Sequence, residues 1–385
     1  MLKIVIDATP ILSKPSGVGI YILNLIKSLC KLQQQNRFEM GIAYQPSFKK
    51  WLSGMSSHPA NISVYGNLYT LPIPLRVSNL LNLIPGSPLI NYKKRLGMPD
   101  IMHGTNYSVF PCQDTVNLMN LYDLSFVRYP KYTTLAIQQY TGRVKQSLQW
   151  TDAIITISES SKRDIVEYLQ VPPDRIYVTP LASRYHVDYL TDEIIEKIDK
   201  DMDYDFLQPY LLFVSTIEPR KNVTAIVSAF NFLKSKYKIP HNLILIGQKG
   251  WKYKPIFREI ELSPWKENIY HLDYLSDELV ALFYSRADVF VYPSHYEGFG
   301  LPVLEAMTLG APVVSSNTSS IPEVAGDAAI LIDPNDFMQL AEAVLKVISD
   351  RQFRQDLINK GKVRANLFSW ENTARETLKV YRSVV

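Results

Sequence analysis

Short apolar runs alternate with amphipathic stretches along almost the whole chain. LKIVID (2–7) has the continuous apolar character of a buried strand. GVGIYILNLIKSLCKL (17–32) then places apolar residues at 18, 22, 25, 26 and 29, the spacing of one helix face. DIMHG (100–104), TVNLMNLYD (115–123) and DAIITIS (152–158) follow as strands. The last leads into SESSKRDIVEYL, where Ser158, Ser161 and Asp164 supply N-cap chemistry for a helix. RIYVTPLA (175–182) closes this first series. Residues 191–209, TDEIIEKIDKDMDYDFLQP, are acidic and short of strand character, and read as a linker.

A second alternation begins beyond it. Strands are expected at YLLFVST (210–216), NLILIG (242–247), IYHLDY (269–274), VFVYPS (289–294), PVVSS (312–316) and AILID (329–333). Helices are expected at 222–237, 277–287, 302–310 and 337–348. Strict alternation argues for parallel sheets with helices on both faces. Two such series predict an α/β chain of two Rossmann-like doubly wound domains facing a cleft. The expected boundaries are 1–195, joined by a returning C-terminal helix at 366–385, and 206–365. Ligands of such sheets sit beyond the carboxyl ends of the strands, so each strand-to-helix turn is a candidate site.

Composition narrows the classes. At 385 residues two domains are the ordinary expectation. Cys30 and Cys112 cannot make a disulfide framework and suggest a reducing compartment. No run reaches the roughly 18–20 apolar residues that span a bilayer, and Asp7 interrupts the first apolar run, so a cytoplasmic location is expected. The net charge of +4 hides an asymmetry. Residues 1–150 carry 15 Lys and Arg against 5 Asp and Glu, a net of +10, whereas residues 151–385 carry 26 against 32, a net of −6. The basic half suits a phosphate-bearing substrate or anionic lipid head groups. Nucleic acid is disfavoured, because no basic run is interleaved with aromatics and no zinc or RNA-binding motif is present. Segment 72–97 joins apolar residues to Lys93, Lys94 and Arg95 and reads either as a docking surface for a membrane-borne acceptor or as a packed loop with a solvated basic end.

The densest chemistry is HYEGFGLPVLEAM (295–307). VFVYPS precedes it as a strand, and Pro302 suits the first helical position. Glu297 therefore lies in a glycine-rich turn, and Glu305 lies about one turn into a helix. Gly298 and Gly300 allow close backbone approach to a ligand. The free N–H groups near Leu301, Val303 and Leu304, with the helix dipole, form a phosphate site. Around such a phosphate, Glu305 could accept hydrogen bonds from ribose hydroxyls and Glu297 from sugar hydroxyls.

This stretch resembles the E-x7-E signature of retaining glycosyltransferases with the GT-B fold, the "group 1" class (family 4), in its EPRKN-bearing branch. The resemblance extends through GVGIYILNL (17–25), HGTNY (103–107), YDLSFVRYP (122–130), STIEPRKN (215–222), residues 272–307, SNTSSIPEVAGDAAILIDP (316–334) and FSWENTARETLKVYRSV (368–384). It implies that Arg220 and Lys221 neutralise a nucleotide's diphosphate, with Arg220 replacing an arginine that relatives carry near Ser215 and Thr216. It implies that the backbone at Gly17 and Gly19 faces the distal phosphate, and that Tyr274 and Leu275 hold the base. Phe299, Gly300 and Leu301 belong to the donor turn. Asp123 stays as in relatives, as a candidate catalytic residue or an ordinary loop aspartate, whereas Tyr122, a candidate donor contact, stands where they have a histidine. Either that contact is only positional, or Tyr122 replaces it, or activity is altered. His103 is either an acceptor-side group or a satisfied structural histidine. The donor implied is a nucleotide diphosphate sugar, UDP-glucose or GDP-mannose, with no cofactor and no metal. DKDMDYD (199–205) has the Asp-x-Asp pattern of metal-dependent transferases but no preceding strand.

The expected function is hexosyl transfer to a saccharide or lipid-linked acceptor in polysaccharide biosynthesis. A glycoside hydrolase, a sugar-nucleotide epimerase and a non-catalytic sugar-nucleotide-binding protein are the alternatives.

Overall fold

The structure is a computed structural model that describes residues 1–11, 17–52, 62–74, 77–78, 81, 88–132, 135–199 and 206–385. Its described strands form two wholly parallel sheets. The first comprises β1 (Leu2–Asp7), β2 (Phe38–Tyr44), β3 (Asn67–Thr70), β4 (Ile101–Gly104), β5 (Val116–Asn120), β6 (Ala153–Thr156) and β7 (Ile176–Val178), in the order β3-β2-β1-β4-β5-β6-β7. The second comprises β8 (Tyr210–Val214), β9 (Asn242–Ile246), β10 (Ile269–Leu272), β11 (Val289–Tyr292), β12 (Val313–Ser316) and β13 (Ala329–Ile332), in the order β10-β9-β8-β11-β12-β13. The order of strands reverses between β1 and β4 in one sheet and between β8 and β11 in the other. These are the switch points at which doubly wound sheets bind ligands.

The reason for the continuous apolar runs is now plain. β1 pairs on both sides, with β2 from Leu2↔Phe38 to Asp7↔Ala43 and with β4 at Ile4↔Ile101. Its residues from Ile4 onward are buried, so neither face alternates. β9 and β11 are buried throughout for the same reason. Two strands fall outside the pattern-based expectation. β2 follows directly on a helix through Arg37 at φ 52°, and β3 is a short edge strand with both ends exposed. Neither gives a clean apolar run.

The chain divides into two compact units. One contains Met1–Arg128, Leu135–Leu181 and Ser369–Val385, and the other Tyr129–Thr134 and Ala182–Phe368. The division falls at Leu181 rather than near residue 195. Helix Asp192–Asp199 packs on helix Asp277–Arg286 of the second unit, and Arg184 is ion-paired there. The acidic stretch is thus helical at its start, while residues 200–205, with most of the Asp-x-Asp stretch, lie outside the described residues.

In the first unit the terminal helix Trp370–Ser383 packs along helix Gly17–Asn36. Ser369 caps it by accepting from the Asn372 N–H at 3.1 Å. Thr373 Oγ1 donates to the Pro180 carbonyl at 2.7 Å, and Arg382 donates to the Asn36 carbonyl at 2.9 Å. Among the described residues no helix is long and apolar enough to cross a membrane.

Candidate functional site

Strand β11 delivers the site. The Phe213 and Phe290 rings stack on Tyr292 at centroid distances of 5.8 and 5.7 Å, fixing the tyrosine at the carboxyl end of its strand. The following turn carries Glu297. Its N–H donates to Ser319 Oγ at 2.8 Å, and its carbonyl accepts from Ser320 Oγ at 2.9 Å. Ser319 itself sits at φ 52°. The turn ends at Gly300, φ 109°, from which helix Leu301–Thr308 starts, so that Pro302 is its second residue. One-residue differences at helix ends are ordinary.

The second strand-to-helix turn lies opposite, at the end of β8. Pro219–Lys221 form one 3-10 turn, closed by Asn222 in the left-handed region at φ 58°. Asn222 Nδ2 donates to the carbonyls of Pro293 and Pro334 at 3.1 and 2.6 Å, which ties the turn to the segments leaving β11 and β13. The Arg220 carbonyl also accepts from the His295 N–H at 2.9 Å.

These two turns and the end of β11 bring five side chains together. Lys221 Nζ donates to Glu297 Oε1 at 2.6 Å and to the Tyr292 hydroxyl at 2.8 Å; the tyrosine in turn donates to Glu297 Oε1 at 3.0 Å. Arg220 Nη1 lies 3.3 Å from Glu297 Oε2 and donates to the Tyr296 carbonyl at 2.6 Å. Its Nη2 donates to Glu218 Oε1 at 2.7 Å. All are largely buried. Burial works against the Glu297 carboxylate, but the Lys221 ammonium and Arg220 guanidinium outweigh it and hold its pKa at about 2. Lys221 is affected asymmetrically. Burial lowers its pKa, and the Arg220 charge beside it adds to that, with Glu297 opposing. The cluster is therefore a buried, charged array in which two cations, Arg220 and Lys221, face two carboxylates, Glu297 and Glu218. Glu218 is raised by burial despite Arg220.

Glu305 has a different surrounding. It is 2% exposed, and Arg184 clamps both of its oxygens, Nε to Oε1 at 2.6 Å and Nη2 to Oε2 at 3.3 Å. Arg184 Nη1 also bonds Asp277 Oδ1 at 3.0 Å. Burial raises the Glu305 pKa in spite of that partner. Nothing local in the sequence marks Arg184, which lies in no glycine turn and 121 residues from its partner. Tyr292 and Ser319 likewise carry no local motif. A tyrosine at the end of an otherwise aliphatic and aromatic strand was the available signal for the former.

Elsewhere in the second unit, Tyr274 is exposed and Leu275 half-buried, just before the Ser276 cap of helix Asp277–Arg286. Gly298 is buried in the turn, and Phe299 packs edge-on against Phe368 at 5.8 Å.

The first-unit candidates are placed otherwise. His103 is fully buried, with Nδ1 2.7 Å from the Tyr381 hydroxyl and Nε2 against Asn120 Oδ1. Burial lowers its pKa to about 4, so it is neutral and joins the terminal helix to the sheet. Both of its ring nitrogens thus have partners within the first unit. The Tyr122 hydroxyl donates to the Thr105 carbonyl at 2.5 Å, and its ring packs edge-on between Tyr21 and Tyr107, a core position. Asp123 Oδ1 accepts from the Ser125 N–H and Oγ at 2.9 and 2.8 Å, starting helix Ser125–Arg128. Gly17 opens helix Gly17–Asn36, and Gly19 is buried within its first turn. Among the described residues no group of three or more His, Cys, Asp or Glu side chains is arranged to hold a metal.

Comparison with known proteins agrees with this architecture. Residues 194–364 match the family model described as glycosyl transferases group 1. The chain is 31% identical over 389 residues to O-antigen chain mannosyltransferase B of Escherichia coli, covering 99% of this chain and 100% of that one. It is 30% identical over 232 residues to the serotype-specific mannosyltransferase WbdA of Escherichia coli, covering 58% of this chain and 28% of that longer protein. Its fold is similar to that of sucrose-phosphate synthase from Thermosynechococcus elongatus, with a TM-score of 0.75, 18% identity and coverage of 100% and 99%. It is likewise similar to Anabaena Alr3699/HepE in complex with UDP and glucose, with a TM-score of 0.69, 15% identity and full coverage of both chains. With two parallel-sheet units and this full-length likeness, the chain belongs to the group 1 glycosyl transferases of the GT-B fold.

Proposed function

We propose that this glycosyltransferase moves a hexose, mannose or glucose, from a GDP- or UDP-linked donor to a saccharide or lipid-linked acceptor in polysaccharide assembly, with retention of configuration. The observation that carries the reading is the buried Arg220–Lys221–Glu297 cluster beside the glycine turn and the helix start at Leu301. The relatives' names, an O-antigen chain mannosyltransferase and a serotype-specific mannosyltransferase, favour mannose over glucose.

In this reading the donor's diphosphate binds at the N–H groups that open helix Leu301–Thr308, and Arg220 and Lys221 stabilise the charge that grows on it. Two of the three Lys221 N–H groups are engaged by Glu297 and Tyr292, so one remains for a phosphoryl oxygen. Glu297 orients the hexose, Glu305 accepts from the ribose hydroxyls, and Tyr274 and Leu275 hold the base. The bond between the anomeric carbon and the leaving oxygen breaks, the acceptor oxygen bonds to that carbon on the same face, and its proton passes to the leaving phosphate. No strong protein base is needed, and the scheme uses no bound metal or organic cofactor. We further place the reaction on the cytoplasmic side of a membrane, where the basic first half meets anionic lipid.

Calorimetric titration with GDP-mannose, GDP, UDP-glucose and UDP tests the scheme. At least one nucleotide should bind, Lys221→Ala should weaken that binding at least tenfold, and hexose transfer should fall about 10²-fold or more. Absence of binding by all four would defeat the reading.

A further inference from the structure

The Arg184–Glu305 pair does more than fill space. A buried carboxylate is costly unless its lone pairs are met, and the Arg184 guanidinium meets Glu305 through two bonds. Two buried hydroxyls, of Tyr185 and Tyr284, lie within electrostatic reach of the same carboxylate, and that of Tyr185 has no hydrogen-bond partner among the described residues. Tyr185 is 4% exposed and Tyr284 is fully buried. An unpartnered buried hydroxyl is rare, and it offers a polar contact to any group that enters beside Glu305. The guanidinium itself is not committed to Glu305 alone. Its third edge bonds Asp277, whose side chain is 53% exposed, and its plane lies 5.4 Å over the Tyr185 ring.

We infer that Arg184 sets the affinity of the nucleoside subsite: in the unliganded chain it occupies Glu305, and the vicinal hydroxyls of a nucleotide's ribose take the carboxylate from it while Asp277 retains the guanidinium. The inference rests on the reading of Glu305 given above. Two consequences follow with opposite sign. Without Arg184 the Glu305 carboxylate is left buried and unpaired, so a diol is welcomed more strongly. Without the Asp277 charge, Arg184 has only Glu305 to pair with and yields it less readily. A ligand can shift such an equilibrium only by its differential affinity for the two states, so both effects should appear in binding and neither in the grip on a diphosphate alone.

The test is titration of wild type, Arg184→Met and Asp277→Asn with the nucleotide diphosphate that wild type binds and with inorganic pyrophosphate. Expected is a dissociation constant at least about fivefold lower for Arg184→Met and at least about threefold higher for Asp277→Asn, a modest size for coupled sites. Pyrophosphate affinity should match wild type in both. Weaker nucleotide binding by Arg184→Met, or a shift of the same sign in both variants, would show that the arginine merely props the site and would overturn the inference. Should Arg184→Met fail to fold, the exposed Asp277→Asn still decides, since unchanged or tighter nucleotide binding there also overturns it. Failure of wild type to bind any nucleotide would instead remove the functional reading beneath both.

Discussion

The buried Lys221–Glu297 pair makes a prediction about acid. Its carboxylate titrates at about 2, below its ordinary 4.5, so the folded state favours the ionised form. The stability this contributes is fully present above pH 4.5 and is lost as pH falls toward 2, up to about 3 kcal/mol. Glu218 and Glu305 are shifted upward and act in the opposite sense, so the whole protein's pH profile mixes the two. The difference between wild type and Glu297→Gln isolates the pair. At neutral pH the variant should be less stable by about 2–3 kcal/mol in urea unfolding of the second unit, and the gap should close below pH 4. A gap independent of pH would mean that Glu297 is not held ionised by its cations. At this scale the sequence was informative only where motif and fold coincide. Glu297 could be read because a glycine-rich turn announces itself, and Arg220 and Lys221 because STIEPRKN resembles the family's phosphate-binding turn. Arg184 could not, because it reaches Glu305 only through the folding of residues 121 positions apart. His103 and Tyr122 carry ligand-like residue types, yet their partners Tyr381 and Thr105 turn them into core groups.

Among the elements, the turn from β11 into helix Leu301–Thr308 is the most constrained. Gly300 has φ 109°, a backbone conformation that any side chain resists, and a Cβ there would stand 2.8 Å from Ile321 Cδ1. The methyl end of Ile321 can move, so the larger cost is backbone strain. Gly300→Ala should destabilise the second unit by about 1–3 kcal/mol in urea titration. It should also weaken nucleotide binding, because the helix start that supplies free N–H groups must shift. Unchanged affinity at lowered stability would separate the helix start from the ligand site. Most elements were legible for a simple reason. Strands buried on both faces, such as β8, β9 and β11, give unbroken apolar runs, and Ser158 does cap its helix by accepting from the Ser161 N–H at 3.0 Å. What escaped was short or lacked a clean period. Helix Arg351–Ala365 is polar over most of its surface, with Leu357, Gly361 and Ala365 as its buried residues. β3 has no buried face to impose alternation.

For the molecule as a whole, the charge asymmetry becomes a statement about surfaces. The first unit exposes Phe48, Trp51 and Leu52 at 45%, 46% and 66%, and the two aromatic rings stack at 6.0 Å. The Trp51 indole N–H donates to the Pro72 carbonyl at 2.8 Å, next to Leu71, which is buried in the apolar cluster that also holds Leu96 and that Tyr92 packs against. The aromatic corner therefore adjoins the 3-10 helix Pro88–Leu96, with its exposed Lys94 and Arg95. Sequence alone marked the basic end of this surface and sought its apolar part within 72–87, several residues of which lie outside those described. Helix Phe48–Leu52 supplies apolar groups that were too few to register as a pattern. Exposed aromatics beside cations are the combination that docks on anionic bilayers, each cation contributing about 1 kcal/mol near the surface. Sedimentation with phosphatidylglycerol-containing vesicles should pull down wild type, and raised salt should release much of it. Lys94→Glu with Arg95→Glu should weaken that binding by about tenfold or more, and Trp51→Ser with Leu52→Ser should abolish the part that survives salt. Equal binding to neutral phosphatidylcholine vesicles, or no loss in either double variant, would remove the lipid surface from the proposed function while leaving the nucleotide site of the second unit untouched.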